Sequence, residues 1–405
     1  MNDQPRKSYD AIVIGAGHNG LTAAAYLARG GQTTLVLERR DIVGGCCVTE
    51  EIAPGCRAST TSYIASMLRP EVIRDLDLGA HGLRMVPCEP GLQIALPEGE
   101  TIPWWSTLDR TLAEIRAISP RDADTFARVD AELKKLARYL QPFFLEAPPN
   151  VHARGFEGVM ELLRVGKRFR GIGGDEIGRM LAFTTGSLGD FLDRNYESEK
   201  IKRLILANNV YGAHSAPYRP GTAIGLLFHL LSGGDHNLQG FYGHVIGGMG
   251  SITQAMASAA RALGVTIRTS APVARIDVRD GRARGVVLED GTEIAARTIL
   301  SNADPKRTFL GMVERDAVPA EFRKAIDGIK MAGPCAKVNF VLSEEPRVNG
   351  MPADAGPGRR ALFTLVPTLA GAERCYDIAK TGEIPEDLWV DCVVASLVDD
   401  TLAPQ

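Results

Sequence analysis

"YDAIVIGAGHNGLTAAAYLARGGQTTLVLERRDIVGG", from Tyr9 to Gly45, is the stretch that decides the fold. Ala11-Ile12-Val13-Ile14 reads as a short buried strand, and Gly15-Ala16-Gly17-His18-Asn19-Gly20 follows at once. Leu21, Ala24, Ala25, Leu27 and Ala28 then mark a helix of small residues, and Thr34–Leu37 a second strand that ends at Glu38. Strand, glycine turn, helix, strand and acid in that order predict a dinucleotide-binding βαβ unit. Gly15 permits the tight turn, Gly17 lets a pyrophosphate reach the backbone, and Gly20 lets the helix pack closely on the strand. The N–H groups where the helix starts, in the turn that Ala16, His18 and Asn19 complete, face the phosphate. Glu38 falls where a carboxylate accepts a hydrogen bond from a ribose 2′-OH, and its charge disfavours a 2′-phosphate and hence NADP.

The choice between NAD and FAD turns on the residues after Glu38. Arg39 comes next, and Gly44-Gly45 form a second glycine pair. A plain NAD domain has no need of that pair, whereas an extended FAD requires the chain to pass its pyrophosphate and ribose. Glu38-Arg39 with Gly44-Gly45 resembles the glutathione-reductase-type FAD clamp of amine oxidases and carotenoid desaturases, and FAD is the expected cofactor. Cys46-Cys47 adjoin the clamp with Cys56 nearby, but flavin disulfide reductases use a Cys-x4-Cys pair, and vicinal cysteines close a disulfide only with strain. Free thiols packed near the cofactor are expected instead.

The 405 residues suffice for about two domains. A hydrophobic fraction of 45%, a charged fraction of 23% and a net charge of −3 are ordinary for a globular protein and point away from nucleic acid. MNDQPRKSYD lacks the apolar run of a secretory signal. The longest apolar stretch, Ala223 to Leu231, falls far short of the ~20 residues that span a bilayer. Seven scattered cysteines predict reduced thiols and a cytoplasmic location, or the mitochondrial matrix in a eukaryote.

An extended stretch is expected over 55–103. Helical periodicity begins near Thr107 and covers "STLDRTLAEIRAIS" and "SPRDADTFARVDAELKKLARYL", with Ser119 as N-cap and Pro120 at the first helical position. Further helices are expected over 156–168, 175–194 and 221–231. Around Arg164-Val165-Gly166-Lys167-Arg168-Phe169-Arg170 the basic side chains suggest a solvated face; alternatively, Met160, Leu163 and Phe169 form an apolar edge that rests on a membrane. Gly247-Gly248-Met249-Gly250 leads into a helix over 251–263. Strands follow over 265–269 and 273–278; 285–289 and 293–296 complete a meander with the latter, turned at Asp280-Gly281 and Asp290-Gly291. A return strand at Thr298-Ile299-Leu300 runs into Ser301-Asn302-Ala303-Asp304-Pro305. Beyond Gly333, strands are expected over 336–342, 360–365 and 388–397.

The fold class read from this order is α/β: a Rossmann-like FAD-binding domain over 8–106 and 235–310, with an inserted helical region and a substrate-domain sheet over 107–234 and 311–405. "DAIVIGAGHNGLTAAAYLARGG", "LERRDIVGG", "TEEIAPG", "SPRDADTF", "GGMGSITQAMASAAR" and "SNADP" resemble the carotenoid and retinoid oxidoreductases, the phytoene-desaturase-like flavoproteins. Within them the likeness is to the pyridine nucleotide-disulfide oxidoreductase domain-containing branch. The resemblance implies that Val273 touches the adenine side of FAD through its backbone. It also implies a further C-terminal segment, with a second glycine-rich helix start over the flavin, that this chain lacks.

On that resemblance FAD does the chemistry, taking hydride from an apolar small molecule of isoprenoid or lipid type and passing electrons to oxygen or a quinone. An amine substrate and a flavin-binding regulator with little turnover stay open. Tyr211, His214, His229, His236 and His244 lie in the expected substrate region and are read as structural, so no catalytic residue is named; nor is any metal site or oligomeric state.

Overall fold

The computed structural model describes residues 8–148, 150, 154–170, 172–209, 214–232, 242–331, 333 and 335–403. Its main sheet joins β1 (Ser8–Ile14), β2 (Thr34–Leu37), β3 (Thr266–Arg268), β4 (Val273–Arg279), β5 (Arg282–Leu288) and β6 (Glu293–Ser301) in the order β4-β5-β6-β1-β2-β3. β1 runs parallel to both β2 and β6, and β2 runs parallel to β3, while β4, β5 and β6 form the antiparallel meander. The meander's third strand and the return strand, expected as two pieces, are one. No turn residue interrupts Glu293–Ser301, so its first half pairs with β5 and its second half with β1.

Helices α1 (His18–Arg29) and α2 (Gly250–Ala262) cover one face of the parallel strands. Alternation along the strands assigns the faces. Val13 and Val36 join Leu21, Ala24, Ala25, Ala257 and Ala260 on the helical side. Ile12, Ile14, Leu35 and Leu37 join Ile276, Val286 and Leu288 on the other, where the meander curls over. Ala24, Ala25, Ala257 and Ala260 are fully buried, and their small size lets the two helices approach.

A second sheet takes Leu92–Leu96, Glu100–Trp104, Leu362–Leu365 and Val390–Val393, and the core beneath it contains Phe126, Leu133, Leu188 and Leu204. Ser119 caps Pro120–Leu140 as the sequence predicts, its hydroxyl accepting from the Asp122 N–H at 3.1 Å. The helix expected over 175–194 is two, Gly174–Thr185 and Leu188–Asn195, because Ser187 stops the first and caps the second through the Asp190 N–H.

The C-terminal stretch departs from expectation. Residues 336–342 form no strand; Val338, Phe340, Val341 and Leu342 are exposed. Apolar and β-branched composition favours a strand only where a neighbour completes the ladder, and among the described residues none pairs with this one. Leu369–Ala379, between two of the expected strands, is a helix, started by the Thr368 hydroxyl accepting from the Gly371 N–H.

Candidate cofactor site

The site lies at the carboxyl ends of β1 and β2. Gly15 leaves β1 at φ +96° and donates its N–H to the Leu37 carbonyl. Gly17 is the N-cap of α1; no side chain caps the helix and no acid lies in its first turn. The positive end of α1 is therefore left for an outside anion. A Cβ on Gly20 would fall 2.2 Å from the Gly15 carbonyl oxygen, so only glycine lets α1 start this close to the turn.

The second glycine pair closes on the first. The Gly44 N–H donates to the Ala16 carbonyl at 3.0 Å, and Gly17 and Gly44 bridge in parallel. Gly45 has φ +59°, and a Cβ there would sit 3.2 Å from the Gly17 Cα. The two glycine loops thus bring backbone close to backbone in one cradle, the approach a diphosphate needs.

Glu38 is buried at the end of β2. One of its carboxylate oxygens accepts from the Ala16 N–H at 2.8 Å, the other from the Arg40 N–H at 3.0 Å. A carboxylate has about four acceptor positions, so room remains for a ribose hydroxyl. Arg39 is exposed. Val273 opens β4, and nearby Ala271 donates its N–H to the Glu38 carbonyl, which brings this segment to the ribose end. His18 opens α1 with its Nδ1 3.8 Å from the buried Cys47 thiol. Burial lowers the His18 pKa, disfavouring the charged ring. Asn19 stands beside it in the first turn. Burial raises the Cys47 pKa, and Cys46, Cys47 and Cys56 are free thiols.

Asn302 also belongs to this cradle. Its N–H donates to the Ile14 carbonyl, extending the β6–β1 pairing by one step. Its side chain then lies across the glycine turn: Nδ2 is 2.9 Å from where a Cβ on Gly17 would sit and 3.2 Å from that of Gly20. An amide donor beside the turn suits a phosphate oxygen. "SNADP" carries the family resemblance, but nothing local in it places the asparagine here.

The second glycine-rich segment, Gly247-Gly248-Met249-Gly250, is used internally. The Met249 N–H donates to the Ser59 hydroxyl, the Gly250 N–H to Thr49 and the Gly247 N–H to Asp399. The hairpin of Thr49–Ala53 and Cys56–Ser59 is thereby held beside the cradle. Past Ser59 the chain reaches Tyr63, where the Lys337 ammonium lies 5.4 Å from the ring centroid and donates to the Ser59 carbonyl. Burial of that ammonium lowers its pKa to about 8. Acylation of Lys337 should therefore rise with a midpoint near pH 8, read by peptide mass spectrometry, ahead of ordinary lysines at about 10.4. Because the folded pKa is the lower one, the unfolded chain holds more protons above pH 8, and stability gains as pH rises from there toward 10.5. A midpoint near that of other surface lysines would show that Tyr63 and Ser59 do not hold the ammonium away from water.

Two of the histidines expected in a substrate region have described surroundings. His214 meets Tyr376 edge-on, and His244 is buried on Gly243–Val245 with its pKa lowered by burial. His229 lies on the helix Gly225–Ser232, while Tyr211 and His236 fall outside the described residues. Among the described residues no cluster is placed to hold a metal ion, and no helix is long and apolar enough to cross a membrane.

The pattern of flavin containing amine oxidoreductases matches residues 20–380. The mouse pyridine nucleotide-disulfide oxidoreductase domain-containing protein 2 is 34% identical, over 100% of this chain and 72% of its own length. Phytoene desaturase of Fusarium fujikuroi is 26% identical over 82% of this chain and 54% of its own. Putrescine oxidase, solved with putrescine bound, superposes with a TM-score of 0.51 at 18% identity, over 79% of this chain and 63% of its own. The glycine cradle, the acid at the end of β2 and these matches agree: the chain belongs to the flavin-containing amine oxidoreductase family, whose cofactor is FAD.

Proposed function

We propose that the protein removes hydride from a neutral, apolar small molecule, as a desaturase or dehydrogenase does, rather than from an amine, and that oxygen or a quinone accepts the electrons. FAD, when bound, supplies the hydride acceptor. The chain's own part is to hold the diphosphate on the glycine cradle.

The observation that carries this reading is the occupant of Tyr63. An aromatic face is what a substrate ammonium would seek. Here the chain's own Lys337 ammonium already faces it. A second ammonium would meet like charge below about pH 8, whereas a hydrocarbon would not. The likeness to phytoene desaturase points the same way.

Anaerobic mixing tests the choice. Isoprenoid hydrocarbons and terpenes are expected to bleach the flavin absorbance of the FAD-loaded protein, and mono- and polyamines to leave it oxidised. Bleaching by amines alone would overturn the proposal. Oxidised flavin throughout both panels would instead favour a flavin-binding regulator.

A further inference from the structure

The helix Gly155–Arg168 is amphipathic, and its apolar side is exposed. Phe156, Val159, Met160, Leu162 and Leu163 form one apolar stripe and are between 50% and 81% exposed. Ile177 and Leu181 of the next helix, Gly174–Thr185, are exposed as well. On the polar side Arg164 pairs with Glu161 and Glu146 and reaches the Ala147 carbonyl. Phe169, expected on the apolar edge, instead stacks on Phe143.

Exposed basic residues bracket the stripe, with Arg154 at its start and Lys167 and Arg170 at its end. The acids Glu157 and Glu161 share the other side of the helix with Arg164. We propose that this helix lies in the surface of an anionic lipid bilayer, its apolar stripe inserted among the acyl chains and its terminal basic residues on the phosphates.

The charges argue against a second copy as the occupant. A two-fold antiparallel contact would set Arg154 against Lys167, and a parallel one Lys167 against itself. The helix has 14 residues. At about 21 Å long it also offers little of the ~800 Å² per partner that a stable interface buries. A bilayer surface meets both conditions, since it needs only a stripe and supplies the opposite charge.

The inference rests on the reading of an apolar substrate for its purpose, but vesicle binding is measured without turnover, so the two fail separately. The whole chain should float with phosphatidylcholine vesicles containing phosphatidylglycerol, more weakly with phosphatidylcholine alone, and less at high salt. Leu162→Glu with Leu163→Glu should weaken flotation about tenfold or more, while circular dichroism stays that of the parent because both positions face solvent. Ile384→Glu, an equally exposed apolar site elsewhere, should leave flotation unchanged. Absence of binding to anionic vesicles, or binding indifferent to the double variant, would overturn the proposal. A dimer in solution that this variant dissociates would give the stripe to a second copy instead.

Discussion

Gly20→Ala should leave the protein folded but weakened, and binding FAD at least tenfold less tightly. The new Cβ would fall 2.2 Å from the Gly15 carbonyl oxygen and 3.2 Å from both Cβ and Nδ2 of Asn302. The first of these neighbours is backbone, pinned by the Gly15 N–H bond to Leu37, so it has no rotamer into which to retreat. The start of α1 must lift away by about an ångström, which overpacking data put at 1–3 kcal/mol. Alanine's better helix propensity returns about 1 kcal/mol of that, so loss of stability is the smaller effect. The cradle suffers more, because the lifted helix start and the Gly44–Gly45 loop no longer meet around one diphosphate. Titration of FAD fluorescence measures the loss, and thermal unfolding of the apoprotein the cost. Gly79→Ala, where a Cβ meets nothing within 4 Å, is the matched control. Wild-type affinity in the Gly20 variant would show that the turn does not carry the cofactor.

The first glycine turn was legible because everything it needs is local. The strand period, the glycine spacing and the acid at the end of β2 lie within thirty residues, and hydrogen bonding through Ala16 and Gly44 follows from them. Asn302 was not legible as a cradle residue. It arrives only because β6 pairs with β1 and overshoots by one residue, a tertiary fact with no local signal. Lys337 was missed for a related reason: Ser59 and Tyr63, which its ammonium meets, lie far away in sequence.

Elsewhere the pattern is legible but its surroundings are not. Periodicity shows that Gly155–Arg168 has an apolar stripe; it does not say whether the stripe faces core or solvent. The expected strand over 336–342 failed in the opposite sense, since its composition suits a sheet while its neighbours do not provide one. At Gly186-Ser187 a helical pattern ran unbroken through a stop and a new cap, which only the Ser187 bond to the Asp190 N–H makes plain.

Glu38→Gln separates two roles that one carboxylate combines. In the fold it accepts from two backbone N–H groups, those of Ala16 and Arg40. Glutamine has a single acceptor oxygen, so one of these N–H groups must face an amide NH2. Leaving a buried donor unsatisfied costs about 1–3 kcal/mol, which the apoprotein should show as a lower melting temperature. The ribose role is read independently with ADP and 2′-deoxy-ADP. A hydrogen bond to a charged group contributes about 1.5–3 kcal/mol, so the parent protein should prefer ADP roughly ten- to hundredfold by calorimetry. In the glutamine variant that preference should fall to a few-fold or vanish. A variant that melts early but keeps the full preference would make Glu38 an anchor of the turn only, with the ribose held by other groups near Val273. A variant that loses the preference at unchanged stability would place the carboxylate's main work on the nucleotide. The arrangement of its two oxygens, each already engaged at the rim of the cradle, predicts that both effects appear together.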